Sequence, residues 1–77
     1  MNFDYSKLRG KIREIFKTQG AFAEVMGMST TSLSVKLNNN VEFSQKEIEK
    51  AVDLLKIDKE EIPAYFFTLE VQEPELL

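Results

Sequence analysis

Residues 19–33 read Gln19-Gly20-Ala21-Phe22-Ala23-Glu24-Val25-Met26-Gly27-Met28-Ser29-Thr30-Thr31-Ser32-Leu33, and they contain the most informative structural pattern of the chain. Phe22 and Met26 repeat at helical spacing, and Gly27 stands where a helix ends in a left-handed residue. Ser29 follows at the position of an N-cap, and Leu33 lies on the apolar face of the next helix. The pattern therefore predicts two short helices joined by a tight turn, the arrangement called a helix-turn-helix.

Small and apolar residues within this stretch are expected to pack the two helices against each other. Ala23 lies in the middle of the first of them, where a small side chain lets the next helix cross closely. Met28 and Leu33 are expected to bury the inner face of the second helix against Phe22 and Met26. The outer face of that helix then stays polar, which is what entry into a DNA major groove requires.

Helices are also expected on both sides of this stretch. The first has one apolar stripe, formed by Tyr5, Leu8, Ile12, Ile15 and Phe16. Gly10 falls inside that helix and is expected to mark a close approach of another helix. After the turn residues 38–40 comes a fourth helix, whose apolar stripe is Ile48, Ala51, Val52 and Leu55. A fifth helix stays short because of Pro63.

Capping side chains indicate where these helices begin. We expect them at Ser6, Thr18, Ser29, Ser44 and Asp58. Ser44 with Glu47, and Asp58 with Glu61, have the spacing of a capping box. The sequence therefore predicts an all-α fold, a compact bundle of four to five short helices that contains a helix-turn-helix.

The chain is expected to form one domain with a short tail. Residues 1–70 make up the helical domain, and residues 71–77 are expected to be an acidic, flexible tail. Two interpretations stay open for segment 64–71. Either it folds back as core, or its alternating apolar residues form a short extended segment that pairs with a twofold-related copy. We favour Tyr65 and Phe66 in the core and the residues after them in a weak homodimer.

The composition restricts the classes of function. With 77 residues, 43% hydrophobic and 30% charged, the chain is typical of one small globular domain. It has no Cys and no His, which excludes thiolate chemistry and zinc–thiolate sites and removes the commonest general base. We therefore expect no enzyme activity, no metal and no cofactor. No apolar run reaches the roughly 20 residues that span a bilayer, and no secretory signal opens the chain, so we expect a cytoplasmic protein without a membrane partner.

The net charge of -3 conceals a division along the chain. Residues 1–40 contain six basic and three acidic residues, a net charge of +3, whereas residues 41–77 contain four basic and ten acidic residues, a net charge of -6. Such an asymmetry indicates one electropositive working face and an acidic remainder. The alternative is that lysines and glutamates fall unevenly on solvated helix faces.

Together these features resemble the helix-turn-helix family of the phage Cro and repressor proteins, which has the lambda-repressor-like fold. The resemblance covers residues 5–57 and rests on Gln19, Ala23, Gly27 and the apolar positions 22, 26, 28 and 33. The opening residues 2–10 and the closing residues 62–67 also look like small Cro-like regulators of phages and prophages in Gram-positive bacteria. Lys36 stands where the family often has an apolar residue, so Leu37 is expected to fill that space.

Residue by residue, the resemblance implies an interface with DNA. It implies contacts with base edges from Thr30, Thr31, Ser34, Val35 and Asn38. It implies contacts with phosphates from Gln19, Ser29, Lys36, Asn39 and Asn40. The helix has no Arg for a bidentate contact with guanine, so specificity is expected to depend on DNA shape and on the spacing of half-sites in a dimer. The plainer interpretation is that these residues are a solvated helix face and a turn.

These features of the sequence leave two hypotheses open for the function, and they belong to different classes. The leading hypothesis is a sequence-specific DNA-binding transcriptional regulator of the Cro or repressor type, which occupies an operator in double-stranded DNA as a dimer. The alternative is a modulator or antirepressor that binds another repressor protein through its acidic C-terminal half. The net charge of -6 and the modest recognition helix favour this alternative. An enzyme is the weakest hypothesis because the carboxylates stand at cap or solvent-facing positions.

Overall fold

The computed structural model describes residues 2–71, and within them the chain forms five α-helices and no β-strand. The helices are α1 (Ser6–Phe16), α2 (Gln19–Met26), α3 (Thr30–Leu37), α4 (Gln45–Leu55) and α5 (Ile62–Phe66). One turn of 3-10 helix, Lys59–Glu61, leads directly into α5. The predicted all-α bundle of short helices is thereby confirmed.

Three of the predicted caps form hydrogen bonds at the starts of helices. The hydroxyl of Thr18 accepts the backbone N–H of Ala21 at the start of α2, with 3.1 Å between oxygen and nitrogen. At the start of α3, the hydroxyl of Ser29 accepts the backbone N–H of Ser32 over 3.0 Å. The start of α4 is a complete capping box, in which Ser44 and Glu47 each accept the backbone N–H of the other. These helix starts are therefore set by local side chains, as the sequence predicts.

Two other predicted caps are wrong. Ser6 is the first residue of α1, and the carboxylate of Asp4 accepts its backbone N–H over 2.8 Å. An acid two residues earlier makes this contact better than the serine because its negative charge also interacts favourably with the helix N-terminus. Asp58 forms no capping hydrogen bond with its side chain. A 3-10 turn follows it, and Pro63, whose ring presets a helical φ, is in the first turn of α5.

The turn between α2 and α3 has the predicted geometry. Gly27 has a φ of 75°, in the left-handed region where a Cβ would be strained. The N–H of Met28 donates to the carbonyl of Ala23 over 3.0 Å and closes the C-terminus of α2. Ala23 and Leu33 are fully buried, so the two helices pack through the small and apolar residues expected from the sequence.

The core lies where α1 packs against α2, α4 and α5. Its buried residues are Tyr5, Leu8, Ile12, Phe22, Ala23, Met26, Leu33, Leu37, Ala51, Leu55, Ile57, Tyr65 and Phe66. Leu37 is buried, as expected for a residue that fills the space beside Lys36. At Gly10, by contrast, no atom outside the neighbouring backbone of α1 lies within 4 Å of the position that a Cβ would take. The expected close approach of another helix at Gly10 is therefore wrong, because α2, α4 and α5 all pack on the opposite, apolar stripe of α1.

The two ends of the described chain lie side by side. Phe3 and Leu69 form an isolated antiparallel bridge. It is flanked by backbone hydrogen bonds from Asp4 to Thr68 (2.7 Å) and from Glu70 to Asn2 (2.9 Å). Tyr65 and Phe66 are buried in the core, as the sequence favours, and the extended segment pairs with the N-terminal residues of its own chain. The weak homodimer stays a prediction.

Residue 71 is the only part of the predicted tail 71–77 that belongs to the described residues; 72–77 lie outside them. None of the helices within residues 2–71 is long and apolar enough to cross a membrane.

Candidate protein-docking surface

The structure places most of the predicted base-contacting residues on the outer side of α3. Thr30 and Thr31 are exposed in its first turn, and Ser34 and Val35 are half-buried one turn later. Ser29 is exposed, but its hydroxyl already caps α3. The outer side of α3 is therefore made of hydroxyls and one valine, without a charge of its own.

Lys36 is the only basic residue on α3, and its ammonium group has partners within the chain. Its Nζ lies 3.3 Å from Glu47 Oε1 and donates to the carbonyl of Glu42 over 3.4 Å. The Lys36 side chain is only 13% exposed. Burial by itself raises the pKa of Glu47, but hydrogen bonds from the Ser44 backbone and from Lys36, with the charge of Lys36, outweigh it and lower that pKa. Lys36 therefore ties α3 to the start of α4.

The asparagines after α3 are also engaged within the chain. Arg9 Nη2 donates to Asn38 Oδ1 over 2.9 Å and to the carbonyl of Leu37 over 3.2 Å. The amide of Asn39 makes a reciprocal pair with Phe3, accepting its N–H over 2.8 Å and donating to its carbonyl over 2.9 Å. Asn40 is exposed. These contacts use the turn residues to hold α1 and the N-terminal segment in place.

Four of the six basic residues among residues 1–40 contact partners within the chain, whereas Arg13 and Lys17 form no ion pair among residues 2–71. Besides Lys36 and Arg9, Lys7 lies 4.8 Å above the ring of Tyr65, and Lys11 pairs with Glu14 at 3.6 Å. The predicted phosphate contact Gln19 is half-buried at the start of α2. It lines a small polar concavity of about 190 Å³ with Arg13 and Lys17. Most of the predicted residues thus lie on an uncharged helix face or in intramolecular contacts, while Gln19 lies beside Arg13 and Lys17 and Asn40 is exposed.

An apolar groove lies between α4 and the α5 segment, and we call it the α4–α5 groove. It has a volume of about 390 Å³, and its apolar lining consists of Ile48, Val52, Ile62 and Phe67. Its polar rim consists of Gln45, Glu49, Asp53 and Lys59. The apolar stripe of α4 is wider than the core that it covers, since Ala51 and Leu55 are buried while Ile48 and Val52 are not. The five-residue α5 is too short to cover the remainder.

Phe67 forms a ridge between this groove and a second one. The second groove has a volume of about 200 Å³ and shares Ile48 and Phe67 with the first; its other lining residues are Phe3, Tyr5, Glu42, Phe43 and Phe66. The Phe67 ring packs edge-on against Phe3 at 5.9 Å between centroids, yet Phe67 is 50% exposed. Burial and the neighbouring charge of Glu42 raise the pKa of Tyr5. The two grooves form one apolar surface, to which the C-terminal half and the N-terminal segment both contribute.

The residue-based interpretation of the sequence did not identify this surface. The signal for it was present, because α4 has more apolar positions than a two-helix contact can bury and Phe67 follows a helix shortened by Pro63. That signal only becomes specific when the length of α5 and its position against α4 are known.

Known proteins give a direct comparison. The family model described as "Protein of unknown function (DUF739)" matches residues 1–69. Among solved structures, the solution structure of the modulator of repression (MOR) of the temperate bacteriophage TP901-1 from Lactococcus lactis is similar, with a TM-score of 0.77 and 46% sequence identity. The match covers 94% of this chain and 97% of that chain. No curated protein matches.

These matches correct the resemblance to the Cro and repressor family, and with it the interpretation as a DNA-binding transcriptional regulator. The matching family is a different one, and the similar structure is that of a modulator of repression. The error has a physical reason. The resemblance rested on residues such as Ala23 and Gly27, which are required for the packing of two helices across a turn. That packing does not determine what the outer side of α3 binds. The DNA contacts proposed for single residues stay predictions, now without the resemblance that implied them.

Proposed function

Because the chain belongs to the family of proteins of unknown function DUF739 and is 46% identical to a phage modulator of repression, we propose that it binds a repressor protein and modulates repression. The observation that carries this proposal is the extent of the structural match, 94% of this chain and 97% of the other at a TM-score of 0.77. A similarity of this extent reaches well beyond the two helices of the helix-turn-helix.

The described surfaces support a protein partner. The outer side of α3 has no uncommitted cation, whereas a protein that binds the DNA backbone neutralises phosphates with Lys and Arg. The C-terminal half combines an acidic composition with the apolar α4–α5 groove. Apolar residues bordered by charges are typical of surfaces that bind other proteins. We propose that the partner docks on this half.

The proposed activity is binding without a chemical step. The sequence has no His, the commonest general base, and no Cys, so imidazole and thiolate catalysis have no residue to perform them. A modulator needs only affinity for its partner, and a domain of this size supplies enough surface for one interface of standard size.

The test uses the purified chain and the purified repressor encoded in the same genome. We expect the two to elute together as a complex of defined stoichiometry in size-exclusion chromatography with light scattering, and to release or take up heat in isothermal titration calorimetry. Co-expression of the chain is expected to change the output of a reporter promoter that this repressor controls. If the repressor neither binds the chain nor responds to it in the reporter strain, the proposed function is wrong.

The matched control is the chain without repressor on a duplex that contains the operator. We expect no retardation of this duplex by the chain alone, because Lys36 and Arg9 are held by partners within the chain. Retardation of the operator by the chain alone, with no complex between chain and repressor, would instead contradict a protein-directed mechanism.

A further inference from the structure

The apolar residues of the α4–α5 groove have a spacing that suits a docked helix. The lining of the groove includes Ile48 and Val52, which lie one turn apart along α4, and Ile62 and Phe67 from the α5 segment. Two apolar positions one turn apart form a slot into which a second helix can insert residues spaced three or four apart. A neighbouring strand has no edge to pair with here, because residues 2–71 contain no β-strand. The complementary element is therefore an amphipathic helix.

The charged residues at the rim of the groove favour a helix of complementary charge. Glu49 and Asp53 are exposed on the α4 side, and neither forms an ion pair within residues 2–71. Lys59 lines the groove from the 3-10 turn that precedes α5. A helix whose basic residues face α4 would gain two favourable charge contacts, whereas one with acidic residues there would be repelled. The groove is thus complementary to apolar anchors that are flanked by Lys or Arg.

A repressor is a protein that can supply such a segment. Proteins that occupy DNA carry clusters of Lys and Arg beside helices, since they neutralise phosphates. An apolar residue within or next to such a cluster combines both features that the groove requires.

We propose that the α4–α5 groove is the docking site for an amphipathic helical segment of the repressor, with its apolar residues on Ile48, Val52 and Phe67 and its basic residues on Glu49 and Asp53. This inference rests on the proposed function. It assigns Phe67 as the anchor of the interface, because its ring is half exposed yet held in position by the contact with Phe3.

The test compares variants of the full chain for affinity to the purified repressor by isothermal titration calorimetry. Phe67→Ala is expected to weaken binding by about 30-fold, the effect of truncating an aromatic anchor at the centre of an interface. The double variant Glu49→Lys with Asp53→Lys is expected to weaken binding by at least about tenfold and to reduce its dependence on salt. The double variant leaves the core intact, so it stays informative even if Phe67→Ala destabilises the chain.

Matched controls lie outside the groove. Val25 is 42% exposed on α2, and Val25→Ala removes exposed apolar surface, less than Phe67→Ala does, without touching the groove. Glu24→Lys reverses an exposed acid on the same helix. Both controls are expected to bind the repressor like the native chain. Circular dichroism and thermal unfolding of every variant verify that it is folded.

The outcomes separate this inference from the proposed function. If the native chain does not bind the repressor, both are wrong. If the native chain binds and the Phe67 and Glu49/Asp53 variants bind equally well, the groove is wrong and repressor binding stands. Amide chemical shifts of the 15N-labelled chain give the second readout, with perturbation expected at Ile48, Val52 and Phe67. Perturbation centred on Thr30 and Thr31 overturns the inference, as does concentration-dependent perturbation of the groove without repressor, which would indicate a second copy as its occupant.

Discussion

Gly10 and Gly27 show how the same residue type has opposite roles at two positions. Gly10 lies inside α1, and no atom outside the neighbouring helix backbone lies within 4 Å of the place where a Cβ would stand, whereas Gly27 has a φ of 75°. Glycine in a helix interior is costly because the unfolded chain has more conformational freedom to lose. At Gly27 the left-handed backbone makes glycine the favoured residue.

Gly10→Ala is therefore expected to raise the free energy of unfolding by about 1 kcal/mol, the difference in helix propensity between the two residues. Urea denaturation followed by circular dichroism measures it. Gly27→Ala is the contrasting variant and is expected to lower the same quantity by about 1–2 kcal/mol. Equal destabilisation by both substitutions would show that another atom does approach Gly10.

Glu47 makes the stability of the fold sensitive to acid. Its pKa in the folded chain is lower than the ordinary 4.5 because hydrogen bonds from Ser44 and Lys36, together with the charge of Lys36, outweigh the effect of burial. A carboxylate with a lowered pKa contributes stability above its unfolded pKa, and the contribution is lost as the pH falls through the folded pKa.

We expect the native chain to be more stable than Glu47→Gln at neutral pH, and the difference to shrink as the pH falls below 4.5. Denaturant titrations at a series of pH values measure it. Glu24→Gln, at an exposed position on α2, is the control and should give a small difference without this trend. A difference between native and Glu47→Gln chains that stays constant down to the lowest pH would contradict the role of the Lys36–Glu47 pair.

At the scale of elements, the turn after α3 joins parts of the chain that are distant in sequence. The Asn39 amide holds the backbone of Phe3, 36 positions away, through two hydrogen bonds. Its φ of 66° is a left-handed conformation that asparagine tolerates. The N-terminal segment in turn pairs with the segment after α5 through the bridge between Phe3 and Leu69. One side chain thus stabilises the pairing that places Phe67 beside its groove.

Asn39→Gly keeps the left-handed backbone accessible and removes both hydrogen bonds. We expect the free energy of unfolding to fall by about 1–2 kcal/mol. Amide exchange at Phe3 should become faster, since its N–H loses its partner. Asn40→Gly adds the same backbone freedom at an exposed neighbouring position and controls for it. Unchanged exchange at Phe3 in Asn39→Gly would show that the bridge alone holds the N-terminal segment.

At the scale of the whole molecule, the charge division acquires a different meaning. The first 40 residues have a net charge of +3, but Lys7, Arg9, Lys11 and Lys36 contact partners within the chain. The acids Glu49 and Asp53 form no ion pair among residues 2–71 and border the α4–α5 groove. Acids without an ion pair and apolar lining therefore coincide at the α4–α5 groove.

The local features of this protein could be predicted from residue spacing. The all-α fold, the turn at Gly27 and the caps at Thr18, Ser29 and Ser44 all depend on interactions between residues no more than about four positions apart, and such interactions can be identified along the chain. The same spacing suggested a Cro-like protein, because packing two helices across a turn requires the same residues whatever the outer face binds.

Which polar side chains are engaged, and which apolar side chains stay exposed, depends instead on contacts between distant parts of the chain. Arg9 donates a hydrogen bond to Asn38, which is 29 positions away, and Asn39 donates one to Phe3, which is 36 positions away. Ile48 and Val52 belong to an apolar stripe that predicts burial, yet they line a groove because α5 ends after five residues. These properties follow from how separate helices are positioned relative to one another, and that arrangement is a property of the folded core rather than of any single stretch of chain.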